Sequence, residues 1–359
     1  MVDPTRRHRR LALLRVILVA ELVVAMVTAA GVVFAFQHID AQIVSGEPIH
    51  HQVERHTPAL PSGATNILVL GTDSRSCAGC RIDNQTGEGG SDTTILLHVE
   101  DGRHAAYGIS IPRDTLVDRP RCTNGDHHIP GAHDVMWNQA YAQGGAECTV
   151  EQVESVTGIY VDSYITVDFG GFKNMVDAIH GVSVCIPKPV DDPVAHIHFA
   201  AGTQTLDGVD ALKYVRERHS TANSDYGRMK RQQAFLASML NKVKSAGTLS
   251  RPDRLYAFAS ALAGSIQTSP DLASAAKLVK LASSMSSIDL KKVKFVTVPT
   301  SEFPPGSPNW GRLQLTPDAT QLWHKVIQDQ PLGRFGKGAI TAKHPHGDRA
   351  VAAENGLCG

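Results

Sequence analysis

The sequence predicts an α/β or α+β domain that follows a single membrane-spanning helix. A basic amino-terminal segment, residues 1–10, precedes an apolar run from Leu11 to Phe36. From Asn66 onward, short apolar runs typical of strands alternate with longer segments of helical periodicity. About 270 residues carry this alternation, which suffices for one large hydrophobic core.

The apolar run 11–36 is predicted to be a transmembrane helix, because roughly 20 helical residues cross the hydrocarbon core of a bilayer. Cleavage as a signal peptide is the less favoured alternative, since Ala29-Ala30-Gly31 lies inside the run and not after it. Arg15 can extend to the interface, whereas Glu21 carries a cost within the span. The segment before the span contains four arginines, at positions 6, 7, 9 and 10. They predict a cytoplasmic amino terminus and an extracytoplasmic domain.

This topology restricts partners and cysteine chemistry. The chain has 35 basic and 35 acidic residues, and its soluble part faces away from the cytoplasm, so we expect no nucleic-acid partner. Disulfides are permitted outside the cell. The six cysteines are at positions 77, 80, 122, 148, 185 and 358. Cys77 and Cys80 lack the second pair of a zinc site and a thioredoxin pattern, so we expect structural disulfides. Spacing does not encode the pairing; Cys122 with Cys148 is the pairing we favour.

The order of elements follows from the hydrophobic pattern. Residues 37–61 are polar, contain three prolines and predict an extracytoplasmic linker. The predicted strands are 67–70, 94–99, 105–111, 163–167, 182–186 and 293–298. The predicted helices are 135–143, 150–157, 172–179, 206–213, 228–243, much of 251–288, and 317–329. The domain is expected to span 62–330, and the tail 331–359, rich in Gly, Lys and His, to be poorly ordered.

Three polar side chains lie at the ends of predicted strands. Asp73 follows the first strand of the domain, Asp92 precedes the next, and Arg113 follows the third. Ligand sites of α/β proteins gather at the carboxyl ends of strands. An aspartate after a strand is on its own more often a turn or helix cap. Together, two carboxylates and an arginine predict a site for Mg²⁺ (or Mn²⁺) and phosphate, since Mg²⁺ is typically held by one or two carboxylates plus phosphate oxygens.

A cluster of arginines follows in the second half of the domain. Arg216 and Arg218 lie two apart, on one face if the chain there is extended. Arg228, Arg231 and Gln232 have the spacing i, i+3 and i+4, on one face of a helix. Guanidinium groups bind phosphate in a bidentate manner, so the cluster is a candidate anion site. The alternative is a solvated charged surface, and Arg231 in particular could face water.

The order of motifs resembles the LytR–CpsA–Psr (LCP) family of membrane-anchored bacterial cell-wall proteins. The matching segments are NILVLGTDSR at 66–75, SDT at 91–93, IPRD at 111–114, NQAYAQGG at 138–145, VDFGGF at 167–172, LDG at 206–208, YVRER at 214–218 and DYGRMKRQQ at 225–233. The resemblance is dense over 62–243 and loose over 290–330. The Ala- and Gly-rich composition suggests an actinobacterial source.

The resemblance implies one LCP-type domain, with a central mixed β-sheet flanked by helices, that encloses a polyprenyl pyrophosphate. It implies a phosphotransferase that moves a glycopolymer from this lipid donor to a peptidoglycan hydroxyl and leaves polyprenyl phosphate. By motif match, Asp73 and Asp92 would hold Mg²⁺, and the pyrophosphate would be bound by Arg113, Arg216, Arg218, Arg228 and Gln232, with Arg75 and Arg231 as further candidates. Asp73 is also the candidate general base, and Asp73, Asp92 and Arg113 form the catalytic set.

The sequence differs from the family pattern at some positions, and two other functions are compatible with the same residues. Gly90 stands where many members have an arginine before Ser-Asp, which removes one potential phosphate contact. The histidines at 127, 128, 133, 196 and 198 lack the spacing of a metal site on a helix. A hydrolase that cleaves the same pyrophosphate with water would use the same residues. A non-catalytic lipid-binding regulator of the envelope, linked to transcriptional attenuation, is the alternative of a different class.

Overall fold

The computed structural model describes residues 4–54, 63–73, 90–193, 197–217, 224–245, 252–346 and 357–358. Its α-helices are α1 (Pro4–Asp40), α2 (Gln139–Thr157), α3 (Phe169–Ala178), α4 (Gly208–Arg216), α5 (Ser224–Ser245), α6 (Pro252–Ala263), α7 (Ala275–Ser286) and α8 (Pro317–Ile327). Its strands are β1 (Val44–Ser45), β2 (Thr65–Thr72), β3 (Ser91–Val99), β4 (Ala106–Ile111), β5 (Leu116–Arg119), β6 (Cys122–Asn124), β7 (His127–Ile129), β8 (Ala132–Met136), β9 (Ser163–Val167), β10 (Val182–Ile186), β11 (Val190–Asp192), β12 (Ile197–Phe199), β13 (Gly202–Leu206), β14 (Ile266–Thr268), β15 (Val293–Thr297), β16 (Thr300–Glu302), β17 (Leu313–Leu315) and β18 (Ile340–Thr341).

The central sheet has the strand order β1-β14-β9-β2-β3-β4-β15-β18 and is mixed, which confirms the predicted fold class. β2 and β9 are parallel, as are β4 and β15, whereas β3 runs antiparallel between β2 and β4. The carboxyl ends of β2, β4, β9 and β15 and the amino end of β3 therefore meet at one edge. We call this edge of the sheet the site edge.

Helices cover both faces of the sheet. On one face, Leu68 and Tyr107 belong to a buried cluster with Trp137 and with Leu322 of α8. On the other face, Ala106 and its neighbours on β15 pack against Ala234 and Ala237 of α5. β4 is buried at every position, as expected of an apolar run with no polar alternation. Each face of the sheet thus has its own apolar layer.

The segment after α1 is part of the domain, contrary to the predicted linker 37–61. β1 pairs with β14 in the central sheet. The Tyr164 hydroxyl donates to the Glu47 carbonyl at 2.7 Å, and the His51 ring stacks on Tyr160 with centroids 4.1 Å apart. Residues 41–54 are held in place by these tertiary contacts, which the proline and polar content did not indicate. Residues 55–62 lie outside the described part of the chain.

The described part of the carboxyl-terminal segment is also folded, so the predicted domain end at residue 330 is too early. β18 extends the sheet beside β15, and the Ile340 side chain is fully buried. Cys358 forms a disulfide with Cys185, and Cys122 with Cys148 is the second described disulfide, in agreement with the favoured pairing. Apolar contact and a covalent bond hold this segment, despite its Gly, Lys and His content. Cys77 and Cys80 lie outside the described residues.

Within the described residues, α1 contains one helical stretch, Leu14–Asp40, that is long and apolar enough to cross a membrane. The criterion is length and composition, which a signal sequence meets as well. The apolar window of this helix is exposed and does not pack on the domain. At its end, Ile39 packs with Ala263 and Ala275, and the Asp40 carboxylate accepts a hydrogen bond from the Ala275 amide at 2.5 Å. The helix therefore joins the domain through its last turn.

Candidate functional site

Two aspartates lie at neighbouring strand ends on the site edge. Asp73 directly follows β2, and its amide donates to the Gly90 carbonyl at 3.2 Å. Asp92 is the second residue of β3, and the pairing of Thr72 with Ser91 follows a register shift between Gly71 and Thr72. A bulge of this kind changes the direction in which side chains at a strand end project. The antiparallel pairing of β2 and β3 thus brings together the two aspartates that the sequence predicts as metal ligands.

Arg113 connects Asp92 to a chain of alternating charges. It follows β4, the neighbour of β3, and its Nη1 donates to Asp92 Oδ1 at 2.5 Å. Its Nε lies 3.5 Å from Asp114 Oδ2, and Arg312 Nη1 donates to Asp114 Oδ1 at 3.3 Å. Arg312 is close in space although it lies 198 residues from Asp114 in the chain. Two arginines and two aspartates therefore interlock at the site edge.

Helix α5 supplies a further arginine and an amide to the same place. Arg228 and Gln232, at the spacing i and i+4, line a pocket together with Asp92 and Arg113. Arg228 is almost fully buried, and Gln232 Nε2 donates to the Val215 carbonyl at 3.2 Å. Arg228 and Gln232 therefore lie on one face of α5, as their spacing predicts, and four of the predicted site residues line one pocket.

Two other arginines of the predicted cluster have different surroundings. Arg216 is the last residue of α4 and does not belong to an extended segment; its guanidinium lies 4.5 Å from the centre of the Phe169 ring. Arg231 does not face water, because its Nη2 contacts Glu217 Oε2 at 3.1 Å and both side chains are almost fully buried. Burial lowers the pKa of Arg231, and the charge of Glu217 opposes this. Arg75 and Arg218 lie outside the described residues.

Tyr141 lies near both Asp168 and Asp73, and no role was predicted from the sequence for Tyr141 or Asp168. Asp168 follows β9, and its Oδ1 accepts from the Gly171 amide at 2.7 Å at the start of α3. Burial raises the pKa of the Tyr141 phenol, and the charges of Asp168 and Asp73 raise it further, against a hydrogen bond with Thr72. The rule that identified Asp73, an acidic residue directly after a parallel strand, also applies to Asp168.

A separate group of metal-ligand type joins residues 41–54 to α2. Donor atoms of His50, Glu147 and Glu151 lie within 4.8 Å of one another. The carboxylates already accept hydrogen bonds: Glu151 from Thr123 Oγ1 at 2.8 Å and from Gln52 Nε2 at 2.9 Å, and Glu147 from His50. We therefore interpret this group, which we call the His50 clamp, as a structural contact.

The histidines considered in the sequence are elsewhere. His127 and His128 lie on β7, His133 contacts Asp118 at 3.1 Å, and His198 contacts Asp191 at 3.7 Å. His196 lies outside the described residues. Among the described residues, the group within metal-ligand distance is the His50 clamp, and it includes none of the histidines singled out from the sequence.

Known proteins resemble this chain in sequence. The cell wall biosynthesis protein LcpA of Corynebacterium glutamicum is 33% identical over 294 residues, which cover 74% of this chain and 55% of that protein. The polyisoprenyl-teichoic acid–peptidoglycan teichoic acid transferase TagV of Bacillus subtilis is 29% identical over 262 residues, covering 72% of this chain and 61% of TagV. The chain thus spans about half to three fifths of the length of these curated relatives.

Solved structures resemble it in fold. The crystal structure of B. subtilis TagV matches with a TM-score of 0.59 and 27% identity, covering 75% of this chain and 98% of that one. A LytR-Csp2A-Psr enzyme from Actinomyces oris matches with a TM-score of 0.57 and 20% identity, covering 80% and 98%. The model of the LytR_cpsA_psr family matches residues 35–323, which is most of the chain. The chain therefore belongs to the LytR_cpsA_psr family.

Proposed function

We propose that this protein transfers a glycopolymer from a polyprenyl pyrophosphate to a hydroxyl of peptidoglycan and releases polyprenyl phosphate. The main observation behind this proposal is the pocket at the site edge, which is lined by Asp92, Arg113, Arg228 and Gln232. The relatives support the class of reaction, since TagV is named a transferase of polyisoprenyl-teichoic acid to peptidoglycan. The resident arginines and carboxylates suit a phosphate ester and a cation.

In the proposed reaction, the acceptor hydroxyl attacks the sugar-linked phosphorus. A bond from the acceptor oxygen to phosphorus forms, the bond from this phosphorus to the bridging oxygen breaks, and polyprenyl phosphate leaves with the electron pair. Phosphoryl transfer depends mainly on positioning and on neutralising charge at the transferring group. Arg113, Arg228 and Gln232 would perform these two tasks. Asp73 is the candidate acceptor of the hydroxyl proton.

The donor set at Asp73 and Asp92 fits Mg²⁺ (or Mn²⁺). Both side chains offer carboxylate oxygens, they belong to adjacent strand ends, and Arg113, which would hold a phosphate, contacts Asp92. When bound, the cation would neutralise part of the pyrophosphate charge. We propose Arg216 as a further phosphate ligand, and Arg75 and Arg218 by motif match alone. Arg231 is reassigned to a structural role by its contact with Glu217.

The connection to α1 supports a lipid-borne donor. Three residues lie between the end of α1 and the start of β1, and the first residue of β1, Val44, pairs with Gln267 of β14. β14 is antiparallel to β9, and its first residue, Ile266, pairs with Val167, the last residue of β9. β14 therefore begins at the site edge. The proposed membrane anchor thus leaves the domain on the side where the site lies. We propose a single-pass anchor in the cell membrane, with the amino terminus cytoplasmic and the domain outside.

The test is a transfer assay on the full chain in detergent micelles, with a synthetic polyprenyl-pyrophosphate glycan, peptidoglycan fragments and Mg²⁺. We expect Asp92→Asn and Arg228→Ala each to reduce formation of the glycan–peptidoglycan product by about 10²-fold or more, the scale of losing a charge-stabilising group. Asp191→Asn is the matched control, because Asp191 is exposed and does not line the pocket. Thermal melting checks that each variant is folded.

The assay separates the competing functions. Undiminished transfer by both site variants would refute the assignment of the site. Polyprenyl phosphate that accumulates equally without acceptor would identify a hydrolase. Donor binding with neither release nor transfer would identify a lipid-binding protein.

A further inference from the structure

A hairpin adjoins the pocket and is attached to its charged residues. β16 and β17 form this hairpin, and residues 303–312 connect them. Leu313, the first residue of β17, lines the pocket and forms a bridge with Thr115. The residue before it, Arg312, donates to Asp114, which in turn contacts Arg113. The connecting segment therefore has a fixed position relative to the proposed reaction centre.

Trp310 in this segment is exposed, unlike the other tryptophans. Its exposed fraction is 68%, whereas Trp137 and Trp323 are buried. The turn that carries it is hydrogen-bonded: the Trp310 amide donates to the Ser307 carbonyl at 3.0 Å, and the Arg312 amide to the Asn309 carbonyl at 3.0 Å. Tryptophan is enriched at binding interfaces, and this one lies on a hydrogen-bonded turn that leads into a residue of the pocket, so Trp310 is a candidate contact residue.

The neighbours of Trp310 favour a carbohydrate over a lipid surface. Within the described segment 303–312, Trp310 is the exposed aromatic side chain, and Asn309 and Arg312 beside it carry amide and guanidinium groups. A pyranose has an apolar C–H face and a rim of hydroxyls, so it matches a flat aromatic ring with polar groups beside it. A membrane-binding loop would combine several apolar side chains with a basic face.

The distance from the pocket suits the acceptor. Leu313 is three positions after Trp310, so their Cα atoms are at most about 11 Å apart. We propose that Trp310 is the platform on which a sugar of the peptidoglycan acceptor stacks while a hydroxyl further along that glycan enters the pocket. This inference rests on the proposed function and identifies a residue that would bind the acceptor. Trp310 would position the acceptor and take no part in the bond changes.

The experiment compares Trp310→Ala and Trp310→Phe in the full chain, with Tyr256→Ala as the control for an exposed aromatic on α6. The Michaelis constant for soluble peptidoglycan glycan fragments should rise about tenfold in Trp310→Ala, since 1.4 kcal/mol corresponds to a factor of ten and aromatic stacking is of that order. The turnover number at saturating acceptor should stay within about twofold, because the platform acts in binding. Trp310→Phe should recover most of the affinity, and Tyr256→Ala should change nothing.

Fluorescence gives a readout that does not depend on transfer. The difference between the native protein and Trp310→Phe reports on Trp310, and it should change on titration with the same glycan fragments. An unchanged Michaelis constant in Trp310→Ala would overturn the proposal. Quenching of Trp310 by brominated lipids in vesicles, with no response to glycan, would overturn it in favour of a membrane contact. Glycan binding at Trp310 without transfer to any acceptor would count against the proposed function and not against this site.

Discussion

The buried pair of Arg231 and Glu217 leads to a prediction about stability. The same experiment distinguishes a structural arginine from the proposed phosphate-binding arginines of the cluster. Arg231 is 3% and Glu217 2% exposed, with Arg231 Nη2 3.1 Å from Glu217 Oε2. Arg231 Nη2 also donates to the Glu217 backbone carbonyl. Arg231→Met keeps most of the side-chain volume but removes the cation that Glu217 contacts inside the domain. Removing one partner of a buried pair leaves the other charge buried without compensation.

The expected cost of Arg231→Met is about 3–5 kcal/mol in the free energy of unfolding, since this is the typical penalty for breaking a buried ion pair. Such a loss is a large part of the roughly 5–15 kcal/mol that stabilises a native protein. The double substitution Arg231→Met with Glu217→Gln removes both charges. It should recover most of the loss, because well-packed neutral replacements of buried pairs are often close to neutral.

Urea unfolding of the full chain in micelles, followed by the fluorescence of the buried Trp137 and Trp323, measures these differences. Arg334→Met is the matched control: Arg334 pairs with Asp318 at 2.6 Å at the surface, so we expect less than about 1 kcal/mol. If Arg231→Met kept native stability but lost transfer, the structural interpretation of Arg231 would be wrong. It would then belong with the phosphate ligands.

Two further predictions concern how the ends of the domain are held. Cys185→Ser or Cys358→Ser should lower stability by about 2–5 kcal/mol, because the disulfide closes a sequence separation of 173 residues; the melting temperature of either variant should then show a smaller response to reductant than that of the native protein. Glu147 raises the pKa of His50, so the contribution of the clamp is complete below the unfolded pKa near 6.5 and is lost as pH rises through the folded value. His50→Ala should therefore cost stability at pH 6, by under about 1 kcal/mol given the exposure of the ring, and less at pH 9. Equal losses at both pH values would contradict this origin.

The sequence predicted the site where local rules determine position. Asp73, Asp92 and Arg113 adjoin strand ends, and the alternation of a mixed sheet places those ends together. Arg228 and Gln232 are one helical turn apart, so their shared face follows from periodicity alone. Such features need no knowledge of distant contacts. The position of these side chains is thus readable from the residues, while their chemical roles remain a prediction.

Features that depend on distant contacts were missed. The predicted helix 135–143 is a strand at its start, because Val135 and Met136 pair with β5, and α2 begins only at Gln139. β18 joins β15 although its segment is polar in composition. The contact of Arg312 with Asp114 depends on how β17 docks beside β5, which no local pattern encodes.

The arrangement of charges at Arg113 predicts that cation and donor strengthen each other's binding. In the structure, the Arg113 guanidinium contacts the carboxylates of both Asp92 and Asp114. The pyrophosphate of the proposed donor would have to compete with these carboxylates for the guanidinium. If Asp92 binds a cation, its hold on Arg113 weakens, and Arg113 becomes available to the phosphate. Coupling energies between sites are typically about 1–3 kcal/mol, and the coupling is reciprocal, so the donor should raise the affinity for the cation by the same factor by which the cation raises the affinity for the donor.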